Sequence, residues 1–212
     1  MVTAWYYNET EEDPREAHHC EPNEEVSVDE LSKLGVLQWS FDPETDLDKV
    51  NELAKERKYA SRDEINISKE TLPNYDEKLK IFFTEHIHED EEIRYILAGS
   101  GYFDIRNKAD RWVRIHTKKG DMIILPAGSY HRFILDSTNY IKAMRLFKED
   151  PKWTPINRSK ETDVNTHRVG YLSAISGKHA IDGDDDIECV MCRTPPTQQA
   201  QGMIANTKSD TT

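Results

Sequence analysis

Two short stretches carry the residue types that do chemistry. The first is His86-Ile87-His88, with Glu92 four residues after His88 and Gly99 seven after Glu92; the second runs Gly120, Pro126, Gly128, His131. On a strand, residues two apart face the same side, so His86 and His88 point together and Glu92 with Arg94 can join them from the next strand. The residues between Gly99 and Gly120 have room for a strand pair, which brings in His131 as a fourth donor. Imidazole nitrogens and a carboxylate suit iron, nickel, copper, zinc or manganese, and the absence of a thiolate argues against a structural zinc site. Four protein ligands leave two positions open on an octahedral ion. An HxH pair by itself is weak; the two halves with their Gly and Pro punctuation are specific, and they mark His86, His88, Glu92 and His131 as one metal centre.

The flanking charges divide by strand parity. Glu89, Asp90 and Glu91 read as a solvated run, with Glu91 a candidate for steering a proton because it adjoins a ligand. Arg94 shares parity with Glu92 and is expected to face inward, where an unpaired guanidinium is costly to desolvate. Arg145 stands at even separations from Ile141, Ala143 and Phe147, which predicts the same inward face. Each needs an anion, whether a structural carboxylate or a ligand.

Two other groups offer less. His18-His19-Cys20 lies in an acidic loop without a partner motif, and Cys189-x-x-Cys192 has redox or zinc spacing but no second pair and no helix terminus to activate it.

Short strands must position the centre. After His86, the runs EIRYIL, YFDIR, WVRIHT, MIIL, YHRFIL and YIKAMRLF alternate with turn signals, Gly99-Ser100-Gly101 among them, as in an antiparallel sandwich or closed barrel. Ahead of them, Thr3 to Asn8 and VLQWSF read as strands. Ser27 with Glu30 forms a capping box for a helix over 27–34 that stops at Gly35. Apolar spacing near 3.6 predicts further helices over 46–58 and 74–83. The polar, Asp-rich stretch from 178 to 212 is expected to be disordered, leaving 1–177 as one domain.

Whole-chain properties agree with a small soluble enzyme or binding protein. With 212 residues, one core is affordable. A net charge of −12 speaks against nucleic acid or an anionic membrane as partner. Three cysteines are a poor disulfide framework, and neither a signal peptide nor an apolar run long enough to span a bilayer is evident. An intracellular location is expected.

The two motifs resemble those of the cupin superfamily, with one departure: Leu135 stands where the second motif often ends in Asn. More narrowly, EHIHEDEEIRYILAGSGYFDIR, KGDMIILPAGSYHRF and YIKAMRLFKEDPKWTPINR, with the opening AWYY, resemble the acireductone dioxygenases. The resemblance covers roughly residues 1 to 175. It implies a mainly β, cupin-type antiparallel β-barrel (jelly-roll) with a few short flanking α-helices, and one Fe²⁺ or Ni²⁺ per chain. It also implies a monomer in the cytoplasm and nucleus that cleaves acireductone with O₂ in methionine salvage. The iron form would give formate and 4-methylthio-2-oxobutanoate, and the nickel form formate, carbon monoxide and 3-methylthiopropanoate. Arg94 and Arg145 would hold the anionic enediol, and Phe82 and Phe133 would wall its thioether tail. The alternatives are another cupin metalloenzyme, such as an isomerase, and a non-enzymatic binding protein.

Overall fold

In chain order the elements of the computed structural model, which describes residues 1–177, are β1 (Thr3–Tyr6), α1 (Val28–Lys33), β2 (Leu37–Ser40), α2 (Leu47–Glu56), β3 (Ser61–Ile67), α3 (Tyr75–Phe82), β4 (His86–Ile87), β5 (Glu92–Arg106), β6 (Trp112–Lys118), β7 (Asp121–Leu125), β8 (His131–Leu135), β9 (Ile141–Phe147), β10 (Ile156–Asn157), α4 (Lys160–Asp163) and α5 (Thr166–Ile175). All strand pairings are antiparallel, and the strands form two layers that share β5: β1-β6-β5-β8-β4-β10 and β2-β7-β5-β9-β3. The short helices flank them, which is the expected mainly β jelly-roll barrel.

β5 departs from the sequence reading. Gly99-Ser100-Gly101 does not reverse the chain; EIRYIL and YFDIR are two halves of one bent strand. Its first half pairs with β7 and β9 and its second with β6 and β8, with a register shift between Ile96 and Ala98. Gly99 has φ +72, and a Cβ there would lie 2.1 Å from the Tyr140 carbonyl oxygen, so only glycine lets the strand bend this close to its neighbour. The carboxylate of Asp136 accepts from Ser100 Oγ and from the Thr138 amide at 3.0 Å, tying the bend to the turn after β8. Leu135 is fully buried, and the adjacent Asp136 supplies the polar turn contact.

Alternation along β5 sorts two environments. Ile93 and Tyr95 pack with Val50 of α2, Met122, Ile124, Met144 and Leu146, while Glu92, Arg94 and Ile96 face the cavity between the layers. Both faces are covered, which hides the period-two signal in MIIL.

The helix over 27–34 forms as read, with Ser27 Oγ accepting from the Glu30 amide at 3.2 Å and Glu30 Oε2 from the Ser27 amide at 2.8 Å. Strand β3 is absent from the sequence reading because SRDEINI is mostly polar; it pairs with β9 along its whole length. Helices α4 and α5 were likewise not predicted, since THRVGYLSAI carries Gly170 and no clean apolar stripe. Tyr171 and Arg168 of α5 are nonetheless buried, with Tyr171 Oη donating to the Leu34 carbonyl at 3.1 Å. His18, His19 and Cys20 diverge: His18 lies between the Asn8 and Asp13 carbonyls, His19 faces Asn23, and the Cys20 thiol faces the Tyr6 carbonyl, so they form no metal trio. The expectation for 178–212, with Cys189 and Cys192, lies outside the described residues.

Candidate metal centre

Strand register puts the first two donors together. His86 of β4 is the partner of His131 on β8, and their ring centroids are 4.6 Å apart. His88 falls just after β4, its backbone carbonyl fixed by the Gly128 amide at 2.9 Å, so the second motif holds the first in place. Gly128 has φ +74, and a Cβ there would meet the His167 carbonyl at 2.1 Å. Glu92 opens β5 opposite Leu125. All four side chains are buried.

The donor atoms converge. Possible ligand atoms of His86, His88 and His131 lie within 4.8 Å of one another, and Glu92 Oε2 is 3.1 Å from His88 Nε2 and 3.9 Å from His131 Nε2. Donors about 2.1 Å from one ion stand about 3 Å apart when perpendicular, so these spacings fit a single ion.

Hydrogen bonding sets the tautomers. His86 Nδ1 faces the Thr84 carbonyl at 2.6 Å and His131 Nδ1 the Ser129 carbonyl at 2.9 Å. A carbonyl only accepts, so both Nδ1 atoms carry the proton and both Nε2 atoms present lone pairs. His131 Nε2 is buried with no hydrogen-bond partner among the described residues, a loss that a metal ion would make good. Burial, with His86 adding to it, drives the His131 pKa down to about 3, and burial also lowers that of His86. Both are therefore neutral, as ligands must be. Burial alone would raise Glu92, but the Arg94 charge and the His88 hydrogen bond outweigh it and hold the carboxyl well below its usual range. The donor set is three imidazoles and a carboxylate, and it fits a divalent ion.

The whole cavity is about 260 Å³, and beyond the four donors its lining is partly cationic and mostly apolar. Arg94 and Arg145 both line it, as parity predicted. Arg94 Nη2 is 3.0 Å from Glu92 Oε2 and its Nη1 donates to the Ile93 carbonyl at 2.9 Å. Phe82 and Phe133 also line it, edge to face at 6.4 Å.

Glu91 does not face this cavity. Its carboxylate accepts from Arg57 Nη2 at 2.8 Å and Tyr59 Oη at 3.0 Å, with Lys148 at 3.6 Å, because it points opposite to Glu92 on the extended chain. It lines a smaller pocket beside the centre, together with His88, Glu92 and Arg94. Sequence reading also missed Asp63, whose side chain holds Arg145, and Trp153 at the cavity mouth. Asp63 shares parity with the cavity-lining Ile65 and Ile67, a signal that becomes readable only once β3 is known to be a strand.

The chain is similar to known proteins. The family model described as "ARD/ARD' family" matches residues 3–155. Acireductone dioxygenase 2 of Vitis vinifera is 52% identical over 183 residues, covering 85% of this chain and 90% of the relative. Acireductone dioxygenase of Rattus norvegicus is 52% identical over 180 residues, covering 84% and 99% respectively. Among solved structures, an acireductone dioxygenase from Bacillus anthracis, described as having a cadmium ion in its active center, aligns with a TM-score of 0.57 and 27% identity over 64% of this chain and 94% of that one.

Proposed function

The chain belongs to the ARD/ARD' family, and from that premise we propose that it is an acireductone dioxygenase, cleaving 1,2-dihydroxy-3-keto-5-methylthiopentene with O₂ in methionine salvage. One observation carries the reading: a single cavity holds three convergent histidines, a carboxylate and two guanidinium groups, with apolar walls for the remainder of a ligand. Those are the needs of an anionic enediol with a thioether tail.

His86, His88, Glu92 and His131 would hold one Fe²⁺ or Ni²⁺. When bound, the ion supplies Lewis-acid charge and a template for the two enediol oxygens. The chain's own residues do the rest. Arg94 and Arg145, opposite one another on β5 and β9, bind the negative charge of the substrate. Phe82 and Phe133 receive the methylthio end and exclude water from it. Neutral His86 and His131 bring no spare proton to the centre, and ionised Glu92 cannot protonate the enediolate. The bound anion is thereby kept electron-rich, the state that reacts with O₂.

This donor set accepts either iron or nickel. The test is to strip the protein, reconstitute it separately with each ion, supply acireductone and O₂, and identify the products. Formate with 4-methylthio-2-oxobutanoate is expected from the iron form; formate, carbon monoxide and 3-methylthiopropanoate from the nickel form. If neither form consumes oxygen, the assignment fails. The reading carries with it a monomer in the cytoplasm and nucleus, checked by size-exclusion chromatography and cell fractionation. Among the described residues no helix is long and apolar enough to cross a membrane.

A further inference from the structure

Arg145 faces the cavity beside a like charge. In the sheet register it stands directly opposite Arg94 on β5, and cations in that relation repel. Arg94 is anchored on its other side by Glu92 and the Ile93 carbonyl. Arg145 has a long, flexible side chain, 26% exposed, and its own strand offers it the Phe147 ring, 5.4 Å from the guanidinium carbon, but no carboxylate. The restraint comes from β3: Asp63 is the register partner of Arg145 on the side away from Arg94. Its carboxylate takes the guanidinium in a fork, Nε to Oδ1 at 2.7 Å and Nη2 to Oδ2. Asp63, Arg145 and Arg94 therefore form one lateral row across three strands. The neighbouring pair Lys142–Glu64 spans the same two strands from residues of opposite parity, so it cannot do this for a cavity group.

We propose that Asp63 is a positioning residue for the anionic substrate: its carboxylate locks the Arg145 guanidinium in the cavity wall against repulsion from Arg94, so that both cations meet the enediolate. Without it, Arg145 swings toward solvent and the anion keeps one donor group instead of two. The pair is half-exposed, and exposed ion pairs add little to folding stability. Its loss should appear in binding and not in melting. The proposal rests on the acireductone reading above.

The test compares the wild-type holoenzyme with Asp63→Asn and Asp63→Glu, all loaded with the same metal, for metal content, thermal midpoint, kcat and KM. For Asp63→Asn, unchanged metal content and midpoint are expected, with KM raised about tenfold and kcat within about twofold, the pattern of lost ground-state binding. Asp63→Glu, which keeps the carboxylate, should return KM to within about threefold of wild type. An unchanged KM in Asp63→Asn overturns the role, as does Asp63→Glu behaving no better than Asp63→Asn, or a loss matched by a lower midpoint. Failure of the wild-type holoenzyme to turn over acireductone removes the underlying reading and this proposal with it; turnover with an unmoved Asp63→Asn removes only the proposal.

Discussion

His86 and His131 are register partners across β4 and β8, and each donates its Nδ1 proton to the carbonyl two residues before it, Thr84 and Ser129 respectively. The two rings are fixed in the same way, so their Nε2 lone pairs are presented before any ion arrives, and little ordering is left for binding to supply.

Removing either ring should cost the metal before it costs the fold. For His131→Ala we expect metal affinity to fall by at least about a hundredfold, beyond what a lost supporting contact costs. Titration of stripped protein with Ni²⁺, followed by calorimetry, measures it. Near-wild-type affinity would show that the ion sits elsewhere.

Arg94→Ala separates substrate binding from metal binding. Truncating one member of a buried charge pair costs about 2–5 kcal/mol, so kcat/KM should fall by about 30-fold to a few thousandfold. Metal content, read by elemental analysis, should stay near that of the wild type. Undiminished turnover would point to a substrate without an anionic enediol.

Gly128→Ala tests the link between the two motifs. The added Cβ would meet the His167 carbonyl at a residue whose φ is +74. A destabilisation of about 2 kcal/mol or more is expected in chemical denaturation. The Gly128 amide also fixes the His88 carbonyl, so metal affinity should drop along with stability. A variant as stable as wild type would mean that α5 yields easily.

Asp136 gives the acid limb. Burial tends to raise its pKa, but bonds from Ser100, Thr138 and His116 prevail and hold it below the ordinary 3.8. A carboxylate lowered in the folded state contributes stability that is present above the unfolded value and lost as pH falls through the folded one. Asp136→Asn should therefore be less stable than wild type at neutral pH, by about 1–3 kcal/mol for the disturbed buried bonds. The difference should close below about pH 3.8 in denaturant melts. A gap that persists undiminished in acid would assign the effect to shape instead of charge.

How much of this could be read beforehand varies by residue. The capping box at Ser27 and Glu30 is local chemistry and formed as written. The parity of Arg94 and Arg145 with their apolar neighbours placed both in the cavity wall. Gly99 misled, because a positive-φ glycine serves a tight turn and a bent strand equally well. The difference lies in the Tyr140 carbonyl packed against it, 41 residues away in sequence. Glu91 adjoins Glu92 in sequence, yet its carboxylate meets Arg57, Tyr59 and Lys148, partners brought from other elements.

By itself the sequence marked His86, His88, Glu92 and His131 as candidate donors, since donor type, strand parity and glycine placement are properties of a few consecutive residues. Which carboxylate would hold Arg145, and where Glu91 would turn, only the tertiary structure decided. Period-two patterning says which face a side chain takes but not which strand lies alongside, and β3, polar along most of its length, joins β9 through backbone bonds that leave almost no mark on residue choice.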